Sequence, residues 1–302
     1  PPEHERPYEM KSVLGDRRAI LLLLTPALVV YTLIIVVPVF WSFGLTFFTG
    51  GILEGFSFTG LSNFERLFRD PYVLDALWFT LKYAFLVTAL QVVVGYGLAL
   101  LYHFVLKKSS VVVRTLVFFP VVLPTVAIAI LYQKLFQSAP SDGLVNELLV
   151  NVGLSGIDWL GAGDTAFVVI VIMDVWRSVG FYGVLIFSGL LDIPDDIIES
   201  ARIDGAKTWS LLRNIVLPMS LPILFASFIF SINGTIKVFD SVFALTGGGP
   251  GNSTTPLTLY MYRTAFQFSD FGYGSTIALL LTIMCLILTL AIFRSSRRDN
   301  TV

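Results

Sequence analysis

Charged residues are scarce in this sequence of 302 residues. Lysine and arginine number 20, aspartate and glutamate 21, and together they make up 14% of the chain, whereas soluble domains carry roughly 25%. The formal net charge of −1 gives no general attraction to nucleic acid. Since 55% of the residues are apolar and the mean hydropathy is +0.80, the composition excludes an ordinary soluble domain and favours a membrane protein.

Cysteine and histidine are nearly absent as well. Cys285 is the one cysteine, and two histidines stand far apart in the sequence, so a disulfide framework and a metal cluster are excluded. The glycine run at 247–249 is followed by Pro250 where a nucleotide-binding loop needs lysine. The spacings typical of zinc hydrolases, dithiol redox sites and serine hydrolases do not occur. We therefore expect no catalytic residue, no metal and no cofactor on this chain.

Long uncharged runs are what the sequence has instead. A helix needs roughly 20 apolar residues to cross a bilayer. The runs predict an all-α polytopic membrane protein with six transmembrane helices, at about 19–43, 83–102, 115–133, 165–191, 218–240 and 274–293. Pro120 and Pro124 predict kinks in the third span.

The charges that remain indicate the orientation. Six spans place residues 1–18 and the tail 294–302 on the same side of the membrane. Most lysines and arginines lie in these tails and in the segments after spans two and four, and positive charge is retained in the cytoplasm. We therefore expect both termini in the cytoplasm. In the outer segment after span one, Asn63 is predicted to cap a short helix that ends at Arg69.

The cytoplasmic segment 194–218 is charged and has the pattern of two short helices. Asp196 stands three residues before Glu199, the spacing of a capping box. Gly205 is predicted to end the first helix, because glycine adopts a left-handed backbone without steric cost. Thr208 is the candidate cap of the second helix. A helix–glycine–helix elbow between two spans is suited to docking a partner.

This elbow resembles the EAA loop of ABC-importer permeases. Glu199-Ser200-Ala201, Gly205 and Ile215-Val216-Leu217-Pro218 have the spacing of that loop, with Ser200 in place of alanine. The resemblance implies a type I ABC-importer permease fold and a bacterial cytoplasmic membrane. It also implies that the loop docks into a groove of an ATPase subunit. The implied docking residues are Glu199, Ser200, Ala201, Asp204, Gly205, Ile215, Leu217 and Pro218.

Polar residues inside the predicted spans are the candidates for solute contacts. Asp174 and Arg177 are three apart in span four, so on a helix they share a face and can pair. The pair either neutralises itself and fixes helix packing, or lines a cavity and hydrogen-bonds the hydroxyls of a polar solute. Trp176 would offer a ring face for a sugar. Both interpretations remain open on the sequence.

A second resemblance favours the cavity. Asp174-Val175-Trp176-Arg177-Ser178, the stretch Ser227–Ser231 and Pro124-Thr125 are similar to the pocket segments of the maltose-type permease. The solute contacts implied by this resemblance are Thr125, Asp174, Trp176, Arg177, Ser178, Phe181, Ser227, Phe230 and Ser231. Arg177, Phe181 and Ser231 depart from the residue types of that pocket, so the solute need not be maltose.

The resemblances together imply a permease subunit of an importer for a sugar or oligosaccharide. Its implied partners are a second homologous permease, two ATPase subunits that hold ATP and Mg, and an extracytoplasmic solute-binding protein. One alternative is a glycerol-phosphate importer of the same family, with Arg177 and Lys237 as anion ligands, although Asp174 beside Arg177 disfavours it. The other is a secondary transporter or channel without an ATPase. The lack of a convincing internal repeat makes the secondary transporter less favoured.

Overall fold

The computed structural model describes residues 17–52, 54–106, 109–138 and 143–298. The predicted tails therefore lie largely outside the described residues, which leave out 1–16 and 299–302. Within the described ranges the chain is mainly helical, because an apolar segment in lipid must satisfy its backbone hydrogen bonds internally.

The helices agree with the predicted class. In chain order they are α1 (Ile20–Leu45), α2 (Ser62–Arg69), α3 (Pro71–Leu106), α4 (Ser110–Val122), α5 (Thr125–Leu135), α6 (Leu144–Asn151), α7 (Gly163–Leu190), α8 (Asp195–Ile203), α9 (Thr208–Thr235), α10 (Asp240–Leu245), α11 (Leu257–Tyr262) and α12 (Phe271–Arg298). Among the described residues, α1, α3, α7, α9 and α12 are each long and apolar enough to span a bilayer, and α4 with α5 makes a bent sixth candidate. The predicted helical membrane protein is confirmed.

The third predicted span is broken, not kinked. Helices α4 and α5 meet at 95°, and the break falls at Leu123-Pro124, whereas Pro120 lies inside α4. Leu123 has an extended backbone, with φ −73° and ψ 144°, because the proline ring that follows disfavours the helical region for its neighbour. The prediction of a kinked but continuous helix at 115–133 was wrong.

The second span begins well before residue 83. Asp70 ends α2 as predicted, but it also caps α3, since its Oδ1 accepts from the backbone N–H of Tyr72 at 2.9 Å. Pro71 occupies the first helical position, where a missing N–H costs no bond. The outer segment expected up to Phe79 is therefore largely helical.

An antiparallel hairpin follows α1 and was not predicted. Strand β1 (Phe48–Gly51) pairs with β2 (Gly55–Phe58), from Phe48 opposite Phe58 to Gly51 opposite Gly55. Asn63 supports the hairpin and does not cap α2: its Nδ2 donates to the carbonyls of Thr46 at 2.9 Å and Phe48 at 2.7 Å. Its amide is buried, and these two bonds satisfy its donors.

Helices α3 and α7 form the centre of the molecule. Phe79, Tyr83 and Val87 of α3 pack with Ile170 and Met173 of α7 in one buried cluster. The fourth and sixth predicted spans match α7 and α12 closely, but the fifth does not. Helix α9 begins at Thr208, ten residues before the predicted start at residue 218. A π-helical turn, Leu212–Val216, joins its first turn to the rest of the helix.

Candidate functional site

A polar cavity lies where α3, α5, α7, α9 and α10 meet. Its volume is ≈ 270 Å³, and its wall is charged and hydroxylated although the surrounding helices are apolar. The polar residues of the wall are Tyr83, Gln91, Thr125, Asp174, Arg177, Ser178, Tyr182, Ser231, Thr235, Lys237, Asp240 and Ser241. A cavity of mixed hydrogen-bonding groups inside a membrane helix bundle is where a polar solute can be stabilised.

Asp174 is the most deeply buried charge of this cavity. Its side chain is 3% exposed, and the Nε of Arg177 lies 3.5 Å from its Oδ1, which confirms the pairing predicted from their spacing. The hydroxyl of Tyr83 donates to the other carboxylate oxygen. Asp174 Oδ1 and Arg177 Nε make no hydrogen bond within the described part of the chain. Both atoms are buried, so the two side chains face each other across 3.5 Å as an ion pair without a hydrogen bond between these atoms.

A chain of hydrogen bonds links the walls of the cavity. Gln91 of α3 donates through Nε2 to Ser178 Oγ of α7 at 2.6 Å. Its Oε1 accepts from Ser231 Oγ of α9, also at 2.6 Å. Thr88 Oγ1 lies 3.0 Å from Ser231 Oγ and 3.1 Å from Thr235 Oγ1. Three transmembrane helices are thus joined by side chains that, with the exception of Thr88, also line the cavity.

The structure brings together five of the nine predicted solute contacts. The five lie in the cavity wall and are Thr125, Asp174, Arg177, Ser178 and Ser231. Positions 174, 177 and 178 share one face of α7, as the three- and four-residue spacing requires.

The other four predicted contacts lie elsewhere. Trp176 is two residues from Asp174, which turns it away from that face, and its ring lies 5.9 Å from that of Tyr132. The rings of Phe181 and Phe230 pair at 5.6 Å. Ser227 is fully buried, and its Oγ has no hydrogen-bond partner among the described residues. These four residues do not line this cavity, and their contact with solute stays a prediction.

Sequence reasoning missed the contribution of α3. No solute contact was predicted in the second span, yet Tyr83 and Gln91 form one wall of the cavity. Gln91 was detectable, since an amide within an apolar span is costly unless it is hydrogen-bonded. Asp240, the first residue of α10, was also missed. Lys237 lies in the connection between α9 and α10 and was named from the sequence only as an anion ligand of the alternative function.

The elbow between α7 and α9 has the predicted shape. Gly205 adopts a φ of +84°. The N–H of Ala206 bonds to the carbonyl of Ala201 at 2.9 Å, and the N–H of Gly205 to that of Arg202 at 3.1 Å. This is the Schellman pattern, which closes a helix with a glycine in the left-handed region. The predicted capping residues were wrong: Asp196 and Thr208 lie inside their helices and make no capping bond.

One side of the elbow is anchored and the other is open. Ile198 and Leu211 are buried against the inner ends of α3 and α7. Ile203 and Trp209 point outward, with 86% and 70% of their surfaces exposed. Of the predicted docking residues, Ala201 and Ile215 are half-buried and Glu199, Ser200, Asp204, Gly205, Leu217 and Pro218 are exposed. The exposed side is suited to a protein partner because its apolar side chains have no cover.

A comparison with protein families identifies the family of this chain. Residues 91–298 match the model of the binding-protein-dependent transport system inner membrane component, which is more than half of the chain. The chain belongs to that family. The matched stretch contains the elbow, the helices from the middle of α3 to the end of α12, and the cavity wall except for Tyr83.

Individual relatives support the assignment of this permease. It is 34% identical to the probable ABC transporter permease protein YurN of Bacillus subtilis, over 89% of this chain and 92% of that one. It is 31% identical to the trehalose/maltose transport system permease protein MalF of Thermococcus litoralis, over 91% of this chain and 92% of that one. The resemblance found in the elbow is thus confirmed at the level of the family.

A solved structure supports the fold. A chain in the crystal structure of a bacterial ABC transporter involved in the import of the acidic polysaccharide alginate matches with a TM-score of 0.83 at 22% identity. The match covers 95% of this permease and 98% of that chain. The predicted type I ABC-importer permease fold is confirmed.

Proposed function

We propose that this permease forms part of the path of an ATP-driven importer for a sugar or oligosaccharide. The observation that carries the proposal is the cavity between α3, α7 and α9. Its cationic groups, Arg177 and Lys237, are matched by Asp174 and Asp240. A neutral solute with many hydroxyls suits this set, because each hydroxyl can donate to a carboxylate and accept from a cation.

The names of the relatives favour the same class of solute. Besides the trehalose/maltose permease, the chain is 32% identical to the lactose transport system permease protein LacF of Rhizobium radiobacter, over 91% of this chain. A glycerol-phosphate importer is the alternative. It is disfavoured because two carboxylates stand beside the two cations, so the cavity gives little net attraction to an anion.

We further propose that the elbow docks a cytoplasmic ATPase. Its support is the exposed apolar pair Ile203 and Trp209 beside the EAA-type segment that starts at Glu199. ATP and Mg would be held by that partner, and this chain would bind no cofactor and catalyse no reaction. The proposed assembly holds a second homologous permease, two ATPase subunits and an extracytoplasmic solute-binding protein. It lies in a bacterial cytoplasmic membrane with both termini in the cytoplasm.

Two measurements test the proposal: co-purification for the ATPase and thermal shift of the solute-binding protein for the solute. The affinity-tagged permease, expressed with its cognate partners, should retain the ATPase through detergent extraction. The cognate solute-binding protein is then screened by thermal shift against maltose, trehalose, lactose, alginate oligosaccharides and glycerol 3-phosphate. A shift with a saccharide supports the proposal. A shift with glycerol 3-phosphate alone would establish the alternative, and loss of the ATPase would remove the docking role.

A further inference from the structure

Gln91 occupies a joint between three membrane helices. Its side chain is 4% exposed, and both ends of the amide are used, toward Ser178 of α7 and Ser231 of α9, each at 2.6 Å. Ser178 also donates to the backbone carbonyl of Asp174 one turn earlier. The amide therefore ties α9 to the segment of α7 that carries the charged pair.

The serine hydroxyls that bind the Gln91 amide also line the cavity. Ser178 and Ser231 hold Gln91, and both lie in the wall of the solute cavity. A solute hydroxyl that enters the cavity would compete with the amide for them. Exchange of one hydrogen bond for another of the same kind changes the free energy little, whereas an unpaired buried amide is costly. The joint can thus open when a solute replaces its bonds, and not otherwise.

Helix α9 connects this joint to the elbow. It is helical from Thr208, beside the exposed Trp209, to Thr235, beyond Ser231. A continuous helix transmits a displacement of one end to the other. Ser231 lies near the outer end of the same element whose inner end forms the second half of the elbow.

Resting on the proposed function, we propose that Gln91 is a positioning residue that couples the solute cavity to the elbow through α9. In the absence of solute, its two hydrogen bonds hold α9 against α7. When solute hydroxyls bond to Ser178, to Ser231 and to the Gln91 amide in place of these two bonds, no buried group is left unpaired, and α9 is released from α7 and can follow the elbow. Hydrolysis of ATP by the partner would then depend on the presence of solute.

The test compares Gln91→Leu with Gln133→Leu in the complete complex, reconstituted in proteoliposomes. Gln133 is a matched control because its side-chain amide also makes two hydrogen bonds, both donated by Nε2, to the carbonyls of Ala244 and Leu245 at 2.9 Å each, but joins α5 to α10. The readout is the ratio of ATP hydrolysis with saturating loaded binding protein to hydrolysis without it. Gln91→Leu should lower this ratio on the order of 10-fold, within the range of coupling between two sites. Gln133→Leu should keep it.

The other outcomes of this test separate failure of the coupling role from failure of the proposed function. A wild-type ratio in Gln91→Leu overturns it, and so does an equal fall in both variants, which would indicate a general loss of polar packing. If Gln91→Leu does not assemble, the pair Ser178→Ala and Ser231→Ala replaces it and should lower the ratio as much. Normal stimulation in that pair overturns the coupling role. A wild-type complex that no saccharide-loaded binding protein stimulates would instead refute the proposed function.

Discussion

At the scale of single residues, the cavity depends on a carboxylate buried in a membrane helix. An isolated charge in such a position costs at least about 2.5 kcal/mol. Asp174 is stabilised by the hydroxyl of Tyr83 and by Arg177, which approaches to 3.5 Å without a hydrogen bond. Asp174 Oδ1 and Arg177 Nε have no hydrogen-bond partner among the described residues, so the contact between these two atoms is one of charge and not of hydrogen bonding.

Variants of Arg177 separate a structural pair from a solute contact. Arg177→Ala leaves Asp174 buried without its cation, so assembly and uptake should both fall. The double variant Asp174→Asn with Arg177→Ala removes the charge imbalance and should restore assembly of the complex. If the pair binds solute, the double variant still fails in radiolabelled uptake. Full uptake by the double variant would show that the two charges only balance one another.

The hydroxyl of Tyr83 supports the same carboxylate. Tyr83→Phe keeps the ring but leaves one carboxylate oxygen unpaired, a cost of about 1–3 kcal/mol. We expect a lower melting temperature of the purified complex and slower uptake. Tyr96→Phe is the control on the same helix, because its hydroxyl contacts Ser220 at 3.3 Å outside the cavity. Equal effects of the two variants would contradict the special role of Tyr83.

At the scale of elements, the elbow depends on the backbone of Gly205. With φ at +84°, Gly205→Val should strain the elbow by about 1–3 kcal/mol and detach or uncouple the ATPase. Gly153→Val is the control, since Gly153 has a φ of +83° and nothing within 4 Å of an added Cβ. Co-purification and hydrolysis rates should fall for Gly205→Val alone. Wild-type transport by that variant would contradict the docking role.

The elements differ in how far the sequence predicts them. The elbow was predictable because its signals are local: Gly205 closes α8 through bonds to residues only a few positions away. The hairpin was not, since β1 and β2 contain glycines and depend on a distant amide, Asn63. The sequence predicts kinks at both Pro120 and Pro124, whereas Pro120 stays inside α4 and the bend of 95° falls at Leu123-Pro124. The start of α3 needed Asp70 to be recognised as a cap for the helix that follows it.

The candidate site shows the same limit. The positions in α7 were predicted by spacing on one helix and by resemblance, and Asp174, Arg177 and Ser178 do share a face. Trp176 was grouped with them by proximity in sequence, which helical geometry separates. Tyr83 and Gln91 join the cavity only through tertiary packing. A pattern along one helix identifies a face, but not the residues of other helices that oppose it.

At the scale of the whole molecule, the rest of the chain buries little of helix α1. Within the described residues, α1 has no fully buried side chain before Leu45, and its leucines and Trp41 are exposed. Lipid can cover such a surface, and so can the second permease of the proposed assembly. The cavity and the elbow are joined by α9, so the proposed contacts with solute and with the ATPase would be made by one element.

Uptake by the reconstituted complex tests the central claim most directly. Proteoliposomes that hold this permease with its partner permease and ATPase are supplied with the cognate solute-binding protein, ATP inside and a radiolabelled saccharide outside. We predict saccharide accumulation that requires ATP and the binding protein together, and that is lost in Gly205→Val but kept in Gly153→Val. Accumulation without ATP or without the binding protein would contradict the account, and so would accumulation that is unchanged in Gly205→Val.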